Sequence, residues 1–173
     1  MDGRFAYRRV ARQTERVPGT PINATQYPHC FVCGADNPSG LGLHIFQDEL
    51  DAVASFRPTA AHQGYPGRLH GGIVGLLVDE MLVYAGAPHG LEGMTAKVRY
   101  WLRKPIPFDV ELSLRSRLIQ QSDRGFRATV AIHFPDGTLA ADGEGMCVLR
   151  TPPAIDPGDG QTVPSTFNPG ADS

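Results

Sequence analysis

Apolar and polar residues alternate with a period of two along much of the chain. Leu41, Leu43 and Ile45 alternate, and after a break at Asp48–Asp51 the pattern resumes with Val53, flanked by Ala52, Ala54 and Phe56. It returns at Ala96, Val98, Tyr100 and Leu102, and again at Val110, Leu112, Leu114 and Leu118, where Ser116 fills the gap. Phe126, Ala128, Val130, Ile132 and Phe134 alternate most regularly. Each run predicts a β-strand with one buried face. Pro135-Asp136-Gly137 predicts a hairpin into a last strand over 138–150, and Ser122–Gly125 predicts another turn. Gly143 and Gly145 fall on one face of that last strand, where small residues permit close approach by another element.

One stretch breaks the rule. "HGGIVGLLVDEMLVYAG", His70 to Gly86, is apolar on nearly every side and long enough for a helix from Gly71 to about Ala87, stopped near Pro88–Gly90. A helix of this kind is enclosed by other elements. The order is therefore strand, strand, buried helix, four strands. Short turns predict an antiparallel meander for the four late strands, and one helix wrapped by a curved antiparallel sheet, an α+β class, satisfies the whole pattern.

Asp79 and Glu80 stand in the middle of that helix. An ionised carboxylate among apolar neighbours costs several kcal/mol or more without partners. The two point about 100° apart, so one can face a site while the other meets a different partner. Pairing of both with Arg or Lys of the sheet is the simpler alternative. At the helix N-terminus, His70-Gly71-Gly72 exposes backbone N–H groups at the positive end of the dipole, with no glycine side chain to obstruct an approaching oxygen. That is oxyanion-hole geometry; a tight helix start is the alternative for the glycines, and an N-cap or a core imidazole for His70. Asp79 lies nine positions after His70. That separation is roughly 13 Å along the axis. The two cannot touch within one chain. Either the ends do unrelated jobs, or a two-fold axis brings Gly71 of one chain to Asp79 of another.

Composition narrows the class. With 41% apolar and 20% charged residues over 173 positions, the chain can build one globular core. The net charge of -2 implies no nucleic-acid partner. Arg8, Arg9, Arg12 and Arg16, interrupted by Glu15, make a mildly basic start. No signal-peptide pattern follows Met1, and the apolar runs are shorter than the ~20 residues of a membrane span, so a cytoplasmic protein without membrane contact is expected. We divide the chain into an N-terminal arm (1–28), a domain (29–150) and a Pro/Gly-rich tail (151–173), the tail expected to be disordered or draped on the surface.

Cys30 and Cys33 have C-x-x-C spacing beside His29, but a structural zinc site usually needs a second pair. Cys147 is distant, and nothing marks His44 or His62 as ligands. The expectation is a buried packing loop and no metal. A redox C-x-x-C lacks a βαβ context.

Several stretches together resemble the hotdog-fold acyl-CoA thioesterases, in particular the group related to the phenylacetate-pathway thioesterase and the human thioesterase-superfamily members. They are "HGGIVGLLVD", the preceding "HQGYPGRLHGG" (His62–Gly72), the upstream "HCFVCGADNPSGLGL" (His29–Leu43), and "MTAKVRYWLRKPIP" (Met94–Pro107). The likeness spans about 29–150. It implies a hotdog fold and homodimers, often paired again into tetramers. It implies Asp79 as catalytic nucleophile or general base, Gly71 as the N–H donor to the thioester carbonyl within His70-Gly71-Gly72, and Thr95 as a hydroxyl that orients the water or the acid. Where many relatives carry an Asn six positions before the His, this chain has Gly64, which leaves Gln63 and His62 as candidates for the second donor. The basic stripe Lys97, Arg99, Arg103 and Lys104 is either a solvated face or a clamp for CoA phosphates. The chemistry implied is acyl-CoA hydrolysis with no cofactor. A non-catalytic hotdog module that binds an acyl thioester or lipid is the alternative. Acyl chain, and CoA against acyl carrier protein, stay open.

Overall fold

The computed structural model describes residues 19–24 and 26–150; the basic start of the arm and the C-terminal tail lie outside the described residues. In chain order the elements are β1 (Ile45–Asp48), β2 (Asp51–Phe56), α1 (Gly71–Tyr84), β3 (Gly93–Leu102), β4 (Leu112–Gln121), β5 (Gly125–His133) and β6 (Leu139–Leu149), with short 3-10 turns at Ala60–His62 and Ala87–His89. The strands form a six-stranded sheet in the order β1-β2-β4-β5-β6-β3, antiparallel throughout. It wraps α1, the α+β hotdog architecture.

The expected four-strand meander is corrected. Only β4, β5 and β6 run as one; β3 pairs with β6, not β4, and occupies the far edge. Period-two alternation marks which face is buried but not which strand is the neighbour. The link between β3 and β4, residues 103–111, carries Pro105 and Pro107 and runs past the sheet's end, too long and too constrained for a hairpin. A second difference lies upstream. Leu41 and Leu43 precede β1 rather than joining it; their N–H groups bond to the carbonyls of Phe31 and Val32, which folds the 28–43 segment back on itself.

The core accounts for the inward apolar face of α1; Leu76, on its other side, stays exposed. Val74, Leu77, Val78, Met81, Leu82 and Tyr84 are buried against the sheet with Ile45, Leu112, Leu114, Phe126, Val130 and Ile132. By length and composition Gly71–His89 is apolar enough to cross a membrane, which the shorter uninterrupted runs do not suggest; the sheet encloses its inward face here. The β6 glycines are required by this packing. A methyl at Gly143 would stand 2.4 Å from Val78 Cγ1, and one at Gly145 would stand 2.7 Å from Leu82 Cδ1.

The described end of the arm is anchored by Asn23, which is buried. Its amide donates to the carbonyls of Leu43 (2.8 Å) and Cys33 (3.2 Å), and its oxygen accepts the Ile45 N–H (2.8 Å). Three bonds from one buried amide tie arm, Cys-containing loop and β1 together, and satisfy backbone groups that burial would otherwise leave unpaired.

Candidate active site

The helix start is built by its own cap. His70 lies in an extended conformation, and its Nδ1 accepts the Gly72 N–H at 2.9 Å. Ile73 and Val74 donate to the His70 carbonyl at 3.0 and 3.4 Å. Of the N–H groups of the first turn, this leaves Gly71 alone without a partner among the described residues. A methyl at Gly71 would meet Leu102 Cδ1 at 2.9 Å, the movable end of an exposed side chain.

Gly71 lines a cleft of about 820 Å³ between the helix start, the loop before it and the end of β3. Gln63, Gly64, Arg68, His70, Gly71, Gly72, Leu102, Arg103 and Lys104 line it. Gln63 Oε1 accepts the Gly67 N–H at 3.1 Å, which holds the side chain at the cleft wall and leaves its Nε2 to donate. His62 is engaged elsewhere: its Nδ1 accepts the Thr59 N–H at 3.0 Å, and its ring packs on Phe56 with centroids 5.2 Å apart. Position 64 admits no side chain without displacement, because a methyl would sit 2.9 Å from His70 Cα. The cap and Gly64 thus depend on each other, and of the two candidate second donors only Gln63 lines the cleft.

The basic stripe divides. Lys97 and Arg99 belong to the outer face of β3, opposite Met146 and Glu144, and neither lines the cleft. Arg99 pairs with Glu144, and Arg103 binds Asp142 through two bonds, of 2.5 and 3.0 Å. Their guanidinium groups stack on Trp101, 5.7 and 5.4 Å from its ring centroid. Arg68, Arg103 and Lys104 provide the cleft's positive charge. Arg68 was not singled out by the sequence; its position two residues before His70 was the available signal.

Asp79 is half-buried on α1 and does not line this cleft. Thr95 and Cys147 are cross-strand partners on the inner face. Thr95 Oγ1 is buried with no well-formed hydrogen bond among the described residues, the Cys147 thiol beside it being a weak partner. Burial pushes the Cys147 thiol up to about 11, the Thr95 hydroxyl beside it pulls it down, and the Asp79 charge raises it further. Asp79, Thr95 and Cys147 therefore form one neighbourhood at mid-helix, separate from the Gly71 end.

Glu80 turns the other way. Cys30 Sγ donates to both of its oxygens at 3.8 Å, and the ligand atoms of Cys30, Cys33 and Glu80 all lie within 4.8 Å of one another. Burial raises the Glu80 carboxyl, the neighbouring thiols pull it down by hydrogen bonding, and the Asp79 charge raises it again. Burial likewise pushes the Cys33 thiol far above its ordinary range. The two acids are not paired with sheet cations: no Arg or Lys forms an ion pair with Asp79 or Glu80 among the described residues.

No protein-family model and no curated protein matches the sequence. Solved structures do. The chain is similar to a thioesterase superfamily protein, with a TM-score of 0.66 and 29% identity over 70% of this chain. The chain has the hotdog fold of the thioesterase superfamily. The match spans 63% of that relative's length. The E. coli PaaI protein of the phenylacetic acid degradation operon follows at TM-score 0.59 and 22% identity, covering 64% of this chain and 80% of that one. A hypothetical thioesterase protein from Streptococcus pneumoniae, solved with coenzyme A, has TM-score 0.59 and 18% identity over 62% of this chain and 85% of that one.

Proposed function

We propose that this hotdog chain is a homodimeric acyl-CoA thioesterase. The observation that carries the reading is the unpartnered Gly71 N–H at the mouth of a cleft with a basic wall. A thioester carbonyl placed against Gly71 gains a hydrogen bond and the positive end of the helix dipole, both of which strengthen as the oxygen becomes negative. Gln63 Nε2 is the second donor in this reading. Arg68, Arg103 and Lys104 give phosphate groups of CoA a complementary surface.

The reacting acid is Asp79 of the partner subunit. Asp79 and Gly71 of one chain are about 12 Å apart along the helix. A second copy is therefore needed, and β3 offers the place for it. This ten-residue strand is at the sheet's edge, and Met94, Val98, Tyr100, Trp101 and Leu102 are exposed along it. A long apolar edge strand invites pairing with another strand. In the dimer the carboxylate takes a proton from water as the water oxygen attacks the carbonyl carbon; the carbon–sulfur bond then breaks and the CoA thiolate accepts a proton. Direct attack by the carboxylate is the other route to the same products.

The test is a panel of acyl-CoA substrates of different chain length, followed by release of free CoA thiol. Hydrolysis that saturates with substrate and disappears in Asp79→Asn supports the reading. Tight acyl-CoA binding with no thiol release makes the chain a binding module instead.

A further inference from the structure

We propose that Cys30, Cys33 and Glu80 form a binding site for one thiophilic divalent metal ion of the zinc class, which pins the 28–43 segment to the core helix. The sequence argued against a metal because it supplied only two sulfurs and no marked histidine. The fold supplies the third donor from fifty positions away, on α1. With Zn–S near 2.3 Å and Zn–O near 2.1 Å, tetrahedral ligands stand roughly 3.6 Å apart. Both Glu80 oxygens are 3.8 Å from Cys30 Sγ, and the three ligand groups lie within 4.8 Å of each other. Cys30 and Glu80 already stand close to that spacing, and bringing the whole set to it takes side-chain adjustment of up to about 1.2 Å.

The turn carrying the sulfurs is shaped for thiolates. The Val32 N–H donates to Cys30 Sγ at 3.4 Å, and an N–H donor stabilises a sulfur more as it becomes anionic. The Gly34 N–H closes the turn on the Cys30 carbonyl at 3.0 Å. A methyl at Gly34 would stand 2.5 Å from Cys30 N and from the Pro28 carbonyl oxygen, so the turn exists only with glycine immediately after the second cysteine. Cys33 Sγ lies 3.7 Å from Tyr84 Oη, which gives it a hydrogen-bond partner within the same cluster.

Glu80 supplies the electrostatic motive. It is mostly buried beside Asp79, and its hydrogen-bond partners among the described residues are thiols rather than cations. A divalent ion places positive charge where the helix carries two adjacent acids, and it displaces the protons of both thiols as it binds. Cys30 and Glu80 are only partly buried, so water takes the fourth position. The site does not depend on hydrolysis.

The experiment uses the full chain, reduced and stripped with a chelator, titrated with Co²⁺ and then Zn²⁺. One cobalt per chain is expected, with the intense near-ultraviolet absorbance of thiolate-to-cobalt charge transfer, displaced by zinc. Cys30→Ser should reduce that absorbance, and Glu80→Gln should weaken binding at least about tenfold while keeping a sulfur signal. Zinc should raise the melting temperature of the native chain and not that of Cys30→Ser; circular dichroism of each variant reports its fold. Should Cys33→Ser not fold, Cys30→Ser, at the half-exposed sulfur, carries the test. Absence of the charge-transfer band at saturating cobalt, with all three thiols of the chain titrating as free in denaturant, overturns the proposal. So does cobalt binding that Cys30→Ser leaves unchanged.

Discussion

The His70 imidazole caps the helix through Gly72: its Nδ1 accepts that N–H at 2.9 Å, and the neighbouring Gly71 N–H is left as the donor without a partner. The cap and the anion site are thus consequences of one side chain. Asn is also a good N-cap. His70→Asn should therefore keep most of the stability and most of the turnover. His70→Ala should lose about 0.5–2 kcal/mol of stability, as other cap deletions do. It should also lower turnover, because Gly72 then competes with Gly71 for the carbonyl. Thermal melts and acyl-CoA kinetics on the two variants decide it. Equal loss of activity in both would give His70 a role in proton transfer rather than in capping.

Asp79 and Glu80 are adjacent in sequence and differ in surroundings, Asp79 near Cys147 and Glu80 against Cys30 and Cys33. Asp79→Asn should keep the fold and lower kcat at least about 100-fold, the scale of losing a general base. Glu80→Gln should lower kcat far less. Its stability effect follows from linkage. The folded carboxyl titrates above its unfolded value, so the unionised form is favoured in the fold, and stability falls as pH rises from the unfolded pKa through the folded one. In metal-free protein near neutral pH, Glu80→Gln should accordingly raise the melting temperature. A greater kcat loss in Glu80→Gln than in Asp79→Asn would reverse the assignment of the reacting acid.

Much of this was legible in the chain, and the rest was hidden for identifiable reasons. The all-apolar helix, its acids and its glycine start are local signals, and they predicted α1; for His70 they left a place in the site, an N-cap and a core imidazole open, and the structure shows the N-cap. The glycine pair of β6 predicted close approach, and Val78 and Leu82 are what approaches. Strand order was not legible, since the alternation at Val98, Tyr100 and Leu102 is the same whether β3 pairs with β4 or β6. Contacts between distant positions were hidden too. Asn23 looked like part of an arm, and nothing local links Cys30 to Glu80. Parity placed Lys97 and Arg99 on one face, but only the fold shows that this face is away from the cleft.

Asp51 provides a pH test at the other end of the sheet. Burial would raise its carboxyl, but bonds from Arg117 (2.9 and 2.7 Å) and Arg115 (2.8 Å) hold it below the ordinary carboxylate range. A depressed folded pKa gives stability that is present above the unfolded value, near 3.9, and is lost as pH falls through the folded value. Melting temperature should therefore drop in acid. Asp51→Asn should melt lower at neutral pH and show a shallower decline below about pH 4. Parallel curves for the two proteins would assign the acid sensitivity to other groups.

Thr95 separates positioning from packing. Its Oγ1 is buried with only the Cys147 thiol as a weak partner, which costs up to about 1–3 kcal/mol. A purely structural residue at this site would be better as Val, which keeps the shape and removes the orphan hydroxyl. Thr95→Val should therefore raise the melting temperature. The hydroxyl also lies beside Cys147, a thiol that feels the Asp79 charge, so it is placed to hold water or substrate next to that carboxylate. The same variant should then lower kcat by the worth of one hydrogen bond to a charged group, about 1.5–3 kcal/mol, while KM changes little. Thr95→Ser restores the hydroxyl and should recover most of the rate. Combined with Asp79→Asn, Thr95→Val should add almost nothing to the loss, because both act on one step. A stabilised Thr95→Val with unchanged kcat would make the hydroxyl a packing defect, and additive losses in the double variant would place the two residues at separate sites.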